Sequence, residues 1–288
     1  MLNVVCTYPH RYTFDNWLLY FRDVLQQNVN LLFYKEISFR IPAGNYLFTD
    51  IDRVMNRPLY KHILPSYVEQ IRGRGDCVFN DPFRTLMRYA LNKRLAQPFN
   101  LYRSTDDYSA LRYPVYLRYE NQHKQLTDLL QTPAQLETAL IRTGSCLICE
   151  YIDTADGRGV YHKYSSFLIG DKIIPRHLLF SKFWMVKMPD LETTEMLQRE
   201  EKYVRTNPHK EAIREIFNTA NIDYGRIDYS VHKGQLITWE INTNPLLLPT
   251  PSSNNAVRKR LFVESAKAIN AALIELGKTK VMNRDRIP

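Results

Sequence analysis

The sequence predicts a mixed fold, with a small α/β unit over residues 1–80 followed by an α+β region. Three observations support this prediction. Short β-branched runs alternate with helically periodic segments in the first part, and two later stretches, 161–179 and 225–242, have the pattern of antiparallel hairpins. The composition, 44% hydrophobic and 24% charged, is normal for a globular protein with a sizeable core.

Residues 1–80 are predicted to run strand, helix, strand, strand, helix, strand. The successive segments are NVVCTY, TFDNWLLYFRDVLQQ, NLLFYKEIS, NYLFTDIDRV, LYKHILPSYVEQIRGRG and CVFN. Thr13 is a candidate N-cap of the first helix, whose apolar residues recur at helical spacing. The unit has no GxGxxG motif, and we therefore do not expect it to bind a dinucleotide.

The next stretch, residues 81–155, is predicted to begin with a basic amphipathic helix. In NDPFRTLMRYALNKRLAQ, an apolar stripe leaves Arg84 and Arg88 on other faces, which is typical of a helix with a solvated basic side. A strand in YPVYLRY contains Arg118, and the loop after it, which includes His123, has no glycine. The helix TPAQLETALI and the apolar strand CLICEYI follow.

The C-terminal part is predicted to run hairpin, two helices, hairpin, helix. The first hairpin turns at residues 170–171, and the two helices break at residues 207–208. The last helix, AVRKRLFVESAKAINAALIELG, is predicted to stop at Gly277. The polar loop before it includes residues 252–254, which suit either a helix entry or contact with a substrate.

The second hairpin, GRIDYSVHKGQLITWEINTNP, alternates polar and apolar residues, and its turn decides which residues share a face. A two-residue turn at 233–234 would put Asp228 and Glu240 on different faces of the sheet. A three-residue turn at 232–234, with its glycine left-handed, would pair Asp228 with Thr238 and put both carboxylates on one face. We expect the three-residue turn.

In that register Arg226 pairs with Glu240, and Asn242 joins Asp228 and Glu240 on the polar face. Two carboxylates and an amide oxygen are hard oxygen ligands that suit Mg²⁺. The alternative is an ordinary half-exposed sheet, because antiparallel hairpins commonly alternate in this way. The residues alone leave both interpretations open.

The cysteines and charges argue against several classes of protein. Four cysteines are too few for a disulfide framework, and the CxxC of Cys146 and Cys149 lies in an apolar run that favours a structural role. The formal charge is +9, but the basic residues form no tracts, so anionic small substrates explain them as well as nucleic acid does. No apolar stretch is long enough to cross a membrane, and the N-terminus lacks a signal-peptide pattern. We expect a cytoplasmic protein with no membrane or nucleic-acid partner.

The segments RIDY and WEINTNP together resemble the closing metal-binding motif of the ATP-grasp superfamily, an Arg-hydrophobic-Asp strand followed by Glu-hydrophobic-Asn-x-x-Pro. This resemblance implies an ATP-grasp fold, in which two α+β subdomains enclose the nucleotide behind a small α/β N-terminal domain. Residues 1–80 would be a shortened N-terminal domain and 81–288 the ATP-grasp domain, divided into a nucleotide-binding subdomain over 100–155 and a metal and substrate subdomain over 156–288. Leu246 stands where many members have glycine.

The resemblance also implies roles for individual residues. Asp228, Glu240 and Asn242 match the ligands that hold Mg²⁺, or Mn²⁺ in its place, across the phosphates of ATP. Arg226 and Arg176 are the expected catalytic contacts with the transferred phosphoryl or acyl group. The expected nucleotide contacts are Arg84 or Arg88, Arg118 in a position where the family has lysine, Glu150, Tyr151 and Ile152 at the adenine, Asp153 near the ribose, and Lys163.

The function implied by the resemblance is that of an ATP-dependent ligase. Such an enzyme transfers the γ-phosphoryl group to a substrate carboxylate, and an amine or similar nucleophile then attacks the acylphosphate. The expected partners are a small-molecule or peptide carboxylate and the nucleophile, and a homodimer is compatible with the sequence. Three alternatives are a kinase with the same fold, an ATP-binding module that has lost catalysis with its loop glycines, and a basic RNA-binding protein.

Overall fold

The structure is a computed structural model that describes residues 1–22, 28–36, 41–121, 125–248 and 255–280. Within these ranges the strands form three sheets, one parallel and two antiparallel. The predicted surface residue His123 and the predicted substrate loop 252–254 lie outside the described residues.

The parallel sheet is formed by residues 1–80. Its strands are β1 (Leu2–Cys6), β2 (Val29–Phe33), β3 (Asn45–Phe48) and β4 (Val78–Phe79), in the order β2-β1-β3-β4. The helices are α1 (Tyr12–Tyr20), α2 (Ile51–Val54) and α3 (Pro58–Gly73). The predicted strand NYLFTDIDRV is wrong in its second half, because Asp50 adopts a left-handed φ of 54° that ends the extended chain and starts α2.

The middle of the chain forms a small antiparallel sheet, with one helix before its first strand and one between its last two strands in sequence. Its strands, in the order β5-β7-β6, are β5 (Leu101–Arg103), β6 (Val115–Arg118) and β7 (Leu147–Glu150), and its helices are α4 (Arg88–Arg94) and α5 (Pro133–Thr143). The prediction that α4 begins near Asp81 is wrong. The Asp81 carboxylate accepts a hydrogen bond from the backbone N–H of Phe83 at 2.8 Å and closes a turn there instead.

The second antiparallel sheet carries both predicted hairpins. Its strands, in the order β11-β10-β8-β9, are β8 (Tyr161–Ile169), β9 (Lys172–Ser181), β10 (Tyr224–His232) and β11 (Gln235–Asn242). Helices α6 (Thr194–Thr206) and α7 (Lys210–Ala220) lie between the hairpins, and α8 (Ala256–Lys278) follows. The turn at 170–171 and the helix break are confirmed, with Asn207 left-handed at φ 45°.

Helix α8 joins the two ends of the described chain. The predicted stop at Gly277 is wrong, because Gly277 is inside α8 and packs so closely on β1 that a Cβ there would lie 3.0 Å from the Cβ of Leu2. One hydrophobic core includes Leu2 of β1, Phe167 of β8 and Leu273 of α8. The parallel sheet and the four-stranded antiparallel sheet therefore share a core, and the domain boundary near residue 80 stays a prediction.

Two further findings concern the described part of the chain. None of its helices is both long and apolar enough to pass through a bilayer. Cys146 and Cys149 are both buried, and burial raises the pKa of the Cys149 thiol to about 11, which keeps it protonated and unreactive at neutral pH.

Candidate active site

Asp228 and Glu240 face each other directly across the β10–β11 hairpin, in a register that differs from the expected one. The turn is the two-residue type, with Lys233 and Gly234 both at positive φ, so the predicted three-residue turn is wrong. A β-bulge then leaves Trp239 as an extra residue, and beyond it Asp228 pairs with Glu240. Without the bulge, the two-residue turn would put Asp228 and Glu240 on different faces of the sheet. With the bulge, the two carboxylates share one face.

The same bulge corrects the other predicted pairs of this hairpin. Arg226 pairs with Asn242 and not with Glu240, and Thr238 pairs with Tyr229 and not with Asp228. The pairing nevertheless brings Arg226, Asp228, Glu240 and Asn242 to one end of the sheet, on two adjacent strands.

Asp228 is buried and surrounded by cations. Its carboxylate accepts a hydrogen bond from Ser165 Oγ at 3.0 Å and from Arg226 Nε at 3.1 Å, and Lys163 Nζ lies 3.5 Å away. Burial by itself would raise the pKa of Asp228, but Arg226 and Lys163 outweigh it and hold the pKa below its ordinary value. The carboxylate is therefore ionised at neutral pH and able to bind a cation.

Glu240 lies between two arginines. Its Oε2 accepts hydrogen bonds from Arg88 Nη2 and, at 3.1 Å, from Arg118 Nη2. All three side chains are largely buried, with exposed fractions of 10% for Arg88, 11% for Arg118 and 14% for Glu240. Burial and the neighbouring Arg118 lower the pKa of Arg88, and Arg88 Nε is buried without a hydrogen-bond partner among the described residues. Two guanidinium groups are thus held together by one carboxylate.

The donor set fits a divalent cation that prefers hard oxygen ligands. Asp228 and Glu240 supply two carboxylates, and Asn242 supplies an amide oxygen that already accepts a hydrogen bond from the Asn244 N–H at 2.8 Å. In the ranges that the structure covers, histidines, cysteines and carboxylates form no group of three or more that could hold a metal. The two carboxylates and the amide of the hairpin could hold Mg²⁺ only with water and a ligand oxygen to complete its coordination.

A cavity of about 500 Å³ opens in front of this hairpin. Its walls come from β6 of the small sheet, from the four-stranded sheet and from the segment after β9. The lining residues are Tyr116, Arg118, Thr154, Lys163, Trp184, Met185, Val186, Lys187, Arg226, Asp228, Ser230, Trp239, Glu240 and Asn242. Four cations against two carboxylates give this lining a net charge of +2, which favours a polyanionic ligand.

One wall of the cavity is aromatic, and sequence reasoning missed most of it. Trp184 packs against Tyr116 with ring centroids 4.9 Å apart and meets Tyr151 edge-on at 5.5 Å. Trp239, the bulged residue, packs on Phe99 and donates a hydrogen bond from Nε1 to Ser230 Oγ at 2.9 Å. The run of tryptophan, methionine and valine directly after β9 was the available sequence signal, and such a surface suits a planar ring.

The predicted adenine hinge is occupied by contacts within the protein. The N–H of Glu150 donates to Asn100 O and that of Tyr151 to Pro114 O, so both N–H groups are engaged within the protein. The adenine contacts of Glu150 and Tyr151 stay predictions. The Glu150 side chain is buried and accepts hydrogen bonds from Arg112, including 2.6 Å from Nη2. Thr154 lines the cavity, whereas residues 150–153 do not, and contacts of Ile152 and Asp153 with adenine and ribose stay predictions.

The two alternatives for the first phosphate-binding arginine occupy different places. Arg84 is exposed in the turn that precedes α4, whereas Arg88 contacts Glu240.

Arg176 is the extra residue of a second bulge, between β8 and β9, and is buried with its guanidinium 4.3 Å from the Phe262 ring centre. Burial and the nearby Arg226 lower the pKa of Arg176 to about 9. In the described chain no carboxylate lies within salt-bridge distance of Arg176, which leaves a buried cation beside the hairpin.

The sheets and the charged, aromatic-walled cavity define an α+β protein with a ligand cleft between two antiparallel sheets. No protein-family model matches the sequence, and no curated protein matches it either. Several solved structures share its fold. A D-alanine–D-alanine ligase from Bacillus anthracis complexed with ATP has a TM-score of 0.56 at 12% identity, over 96% of this chain and 95% of that one.

Two further structures are named as ATP-grasp proteins. A RimK domain ATP-grasp protein from Sphaerobacter thermophilus has a TM-score of 0.55 at 9% identity, over 97% of this chain and all of that one. The ATP-grasp ligase PsnB, complexed with a minimal precursor, Mg and ADP, has a TM-score of 0.51 at 12% identity, over 96% and 98%. At such identities the likeness is one of fold, and the chain has the ATP-grasp fold.

Proposed function

We propose that this protein is an ATP- and Mg²⁺-dependent ligase that activates a substrate carboxylate as an acylphosphate and joins it to an amine or similar nucleophile. The observation that supports this most directly is the pairing of Asp228 with Glu240 at the end of a cavity lined by cations and aromatic rings. The net charge of the lining complements Mg·ATP, and the aromatic wall suits a purine. The ligases among the structural neighbours favour the same proposal.

Different residues of the site would bind the metal and the phosphates during phosphoryl transfer. Asp228, Glu240 and Asn242 would hold Mg²⁺, which when bound neutralises phosphate charge and orients the transferred group. Arg118 and Arg88 both donate hydrogen bonds to the Glu240 carboxylate. They would bind phosphate oxygens once that carboxylate coordinates the metal. Lys187 stands at the cavity wall as a further cation for the nucleotide.

Arg226 is the residue that we propose for contact with the acyl group. Its Nε donates to Asp228, and the residue lines the cavity beside the predicted metal ligands, so its guanidinium can contact the developing acylphosphate. Arg176 supplies a second buried positive charge close to it. Because transfer of this kind depends on position and charge, no protein nucleophile is required.

The decisive experiment is an ADP-release screen with Mg·ATP against amino acids, short peptides and hydroxy acids. We expect at least one carboxylate, supplied with an amine, to release ADP with the wild-type protein, with release abolished in Glu240→Gln. Glu195→Gln is the matched control, because that carboxylate is 62% exposed and contacts Arg158 on the surface. The amide product is then identified by mass.

Two results would decide for another function. A stable phosphoester formed without an amide would indicate a kinase with the same fold. An absence of Mg·ATP binding in calorimetry would indicate that the catalytic function has been lost. We expect a small-molecule or peptide carboxylate as the partner, and a cytoplasmic location where ATP is available.

A further inference from the structure

A second cavity, of about 170 Å³, adjoins the first one, and Arg226 and Asn242 line both. Its remaining walls come mostly from the parallel sheet unit, whose contributions include His10, Asp50 and Arg53. A group placed in this second cavity would approach the hairpin through Arg226 and Asn242. The two cavities thus meet at Arg226 and Asn242 of the hairpin.

The topology of the parallel sheet independently indicates a ligand site here. After β1 the chain adds β2 on one side and then β3 on the other, so the strand order reverses between β1 and β3. Ligands of open α/β sheets bind in the crevice outside the carboxyl ends of the strands at such a reversal. His10 follows the carboxyl end of β1, and Asp50 follows that of β3.

Asp50 shows the backbone strain that is common at functional sites. It is a buried residue other than glycine with a left-handed φ of 54°. Its Oδ2 accepts hydrogen bonds from the Thr7 N–H at 3.0 Å and from Thr7 Oγ1 at 2.6 Å. The surrounding contacts therefore fix the carboxylate at the base of the cavity.

These contacts also favour one tautomer of the His10 ring. The Thr7 hydroxyl donates its proton to Asp50, so the Thr7 oxygen accepts from the His10 Nδ1–H, 2.8 Å away. Asp50 Oδ2 lies 3.4 Å from the same Nδ1. In that tautomer Nε2 is the proton acceptor of the ring. Arg53 Nη1 lies against Nε2 and is also 3.1 Å from Nδ1. An Arg53 that turns to a ligand would leave Nε2 facing that ligand.

The size and charges of the second cavity define its ligand. Because a water molecule occupies about 30 Å³, the space holds roughly six non-hydrogen atoms. The cavity offers both signs of charge, from Asp50, Asp52 and Arg53, with Arg226 shared with the first cavity. Arg53 Nε lies 3.9 Å from Asp50 Oδ1, so the positive and negative groups are neighbours in its wall. A ligand that carries an ammonium group and a carboxylate matches this arrangement, and a lone anion or a lone amine does not.

We propose that the second cavity binds the attacking nucleophile, a free amino acid, with Arg53 on its carboxylate and His10 Nε2 as the acceptor of its ammonium proton. This proposal rests on the proposed ligase function. The acidic pair attracts the ammonium group, and Thr7 and Asp50 hold the ring of His10 in the orientation that exposes Nε2. Asp50 and Arg53, both from the segment that follows β3, are charged groups that face His10.

The chemical step balances as follows. The ammonium group transfers one proton to His10 Nε2, and the nitrogen lone pair forms the C–N bond at the acyl carbon. The C–O bond to the phosphoryl group breaks, and its electron pair leaves with the phosphate. The second proton of the nitrogen leaves with that phosphate as hydrogen phosphate, and His10 returns its proton to solvent.

The binding part of the proposal is tested on the full chain by saturation-transfer NMR with a mixture of the protein amino acids. We expect at least one of them to bind the wild type and to lose roughly tenfold in affinity in Arg53→Gln, since a charged hydrogen bond is removed. Arg57→Gln, at an exposed arginine outside the cavity, is the control. The proposal is overturned if no amino acid binds, or if Arg53→Gln binds as tightly as the wild type.

The role of His10 is tested with the carboxylate found in the ADP-release screen. Hydroxylamine is uncharged at neutral pH and needs no proton acceptor, so it traps the acylphosphate as a hydroxamate. We expect His10→Gln to keep hydroxamate formation and to lose about a hundredfold in amide formation, while the exposed His62→Gln changes neither. Equal losses of both products would show that His10 acts on folding or activation. A wild type that forms no hydroxamate would refute the ligase function itself, whereas the NMR result still decides whether the cavity binds an amino acid.

Discussion

Replacing Glu240 with glutamine should strengthen the binding of ATP without metal and weaken the benefit of adding Mg²⁺. In the structure Glu240 holds the guanidinium groups of Arg88 and Arg118, with all three side chains at least 86% buried. Two unit charges 4 Å apart attract by about 4 kcal/mol at an effective dielectric constant of 20. The substitution removes this attraction at both arginines and leaves their mutual repulsion.

Two magnitudes follow from this geometry. The free energy of unfolding without ligand should fall by about 3 kcal/mol, because an uncompensated buried charge remains. The affinity for ATP in the presence of EDTA should rise by about tenfold, a gain of about 1.4 kcal/mol, because phosphate oxygens no longer compete with a carboxylate for the arginines.

Isothermal titration calorimetry with EDTA and with excess Mg²⁺ measures both effects, at a temperature well below the melting point of the variant. Glu195→Gln, the exposed control, should behave as the wild type does. If Glu240→Gln binds metal-free ATP no better than the wild type, then Arg88 and Arg118 do not contact the phosphates, and the assignment of this end of the cavity is incorrect.

Three further predictions concern other parts of the site. Arg176→Met should stabilise the fold by about 1 kcal/mol in urea unfolding while ADP release falls, since it removes a buried cation without an anionic partner; a loss of stability would contradict this. Trp184→Ala should weaken ATP binding by about tenfold in calorimetry, and the same change at Phe183, which is 70% exposed, should leave it unchanged. Burial alone would raise the pKa of Glu150, but hydrogen bonds from Arg112 hold the pKa below its ordinary value. This carboxylate therefore stabilises the fold near neutral pH and loses that effect as the pH falls through the lowered pKa. Glu150→Gln should therefore cost about 2 kcal/mol at pH 7 and less at pH 4, and an equal cost at both values would refute the assignment.

The sequence predicted the hairpin residues of the site but not the geometry that brings them together. Alternation and the motif were enough to select Asp228 and Glu240, because period-two patterns and chemically specific residues are local signals. The bulge at Trp239 was not predictable, since a one-residue shift depends on how the β11 side chains pack against the small sheet. The sequence of this turn suits two or three residues almost equally well. A three-residue turn puts both carboxylates on one face with regular pairing, whereas a two-residue turn does so only if a bulge follows.

The late start of α4 and the hydrogen bonding of the predicted hinge have a similar origin. Asp81 and Pro82 have the composition of a helix start, but the side chain of Asp81 closes a turn and delays α4 to Arg88. CLICEYI was correctly predicted as a strand, whereas the fate of the N–H groups of Glu150 depends on Asn100, fifty residues earlier. A local sequence pattern does not predict a hydrogen bond between residues so far apart in the chain. The aromatic wall at Trp184 had a local signal but no motif to interpret it.

The close packing of Gly277 on Leu2 has a consequence for synthesis. Strand β1 leaves the ribosome long before α8 does. The apolar face of the parallel sheet is therefore covered only after α8 has been synthesised. During that interval Leu2 and its neighbours on β1 are exposed to other chains and to chaperones. The Asn45 side chain, which donates to three carbonyls at the end of α8, completes this late closure. A protein truncated before α8 should therefore be lost to aggregation or proteolysis, although every residue of the β10–β11 hairpin would be present.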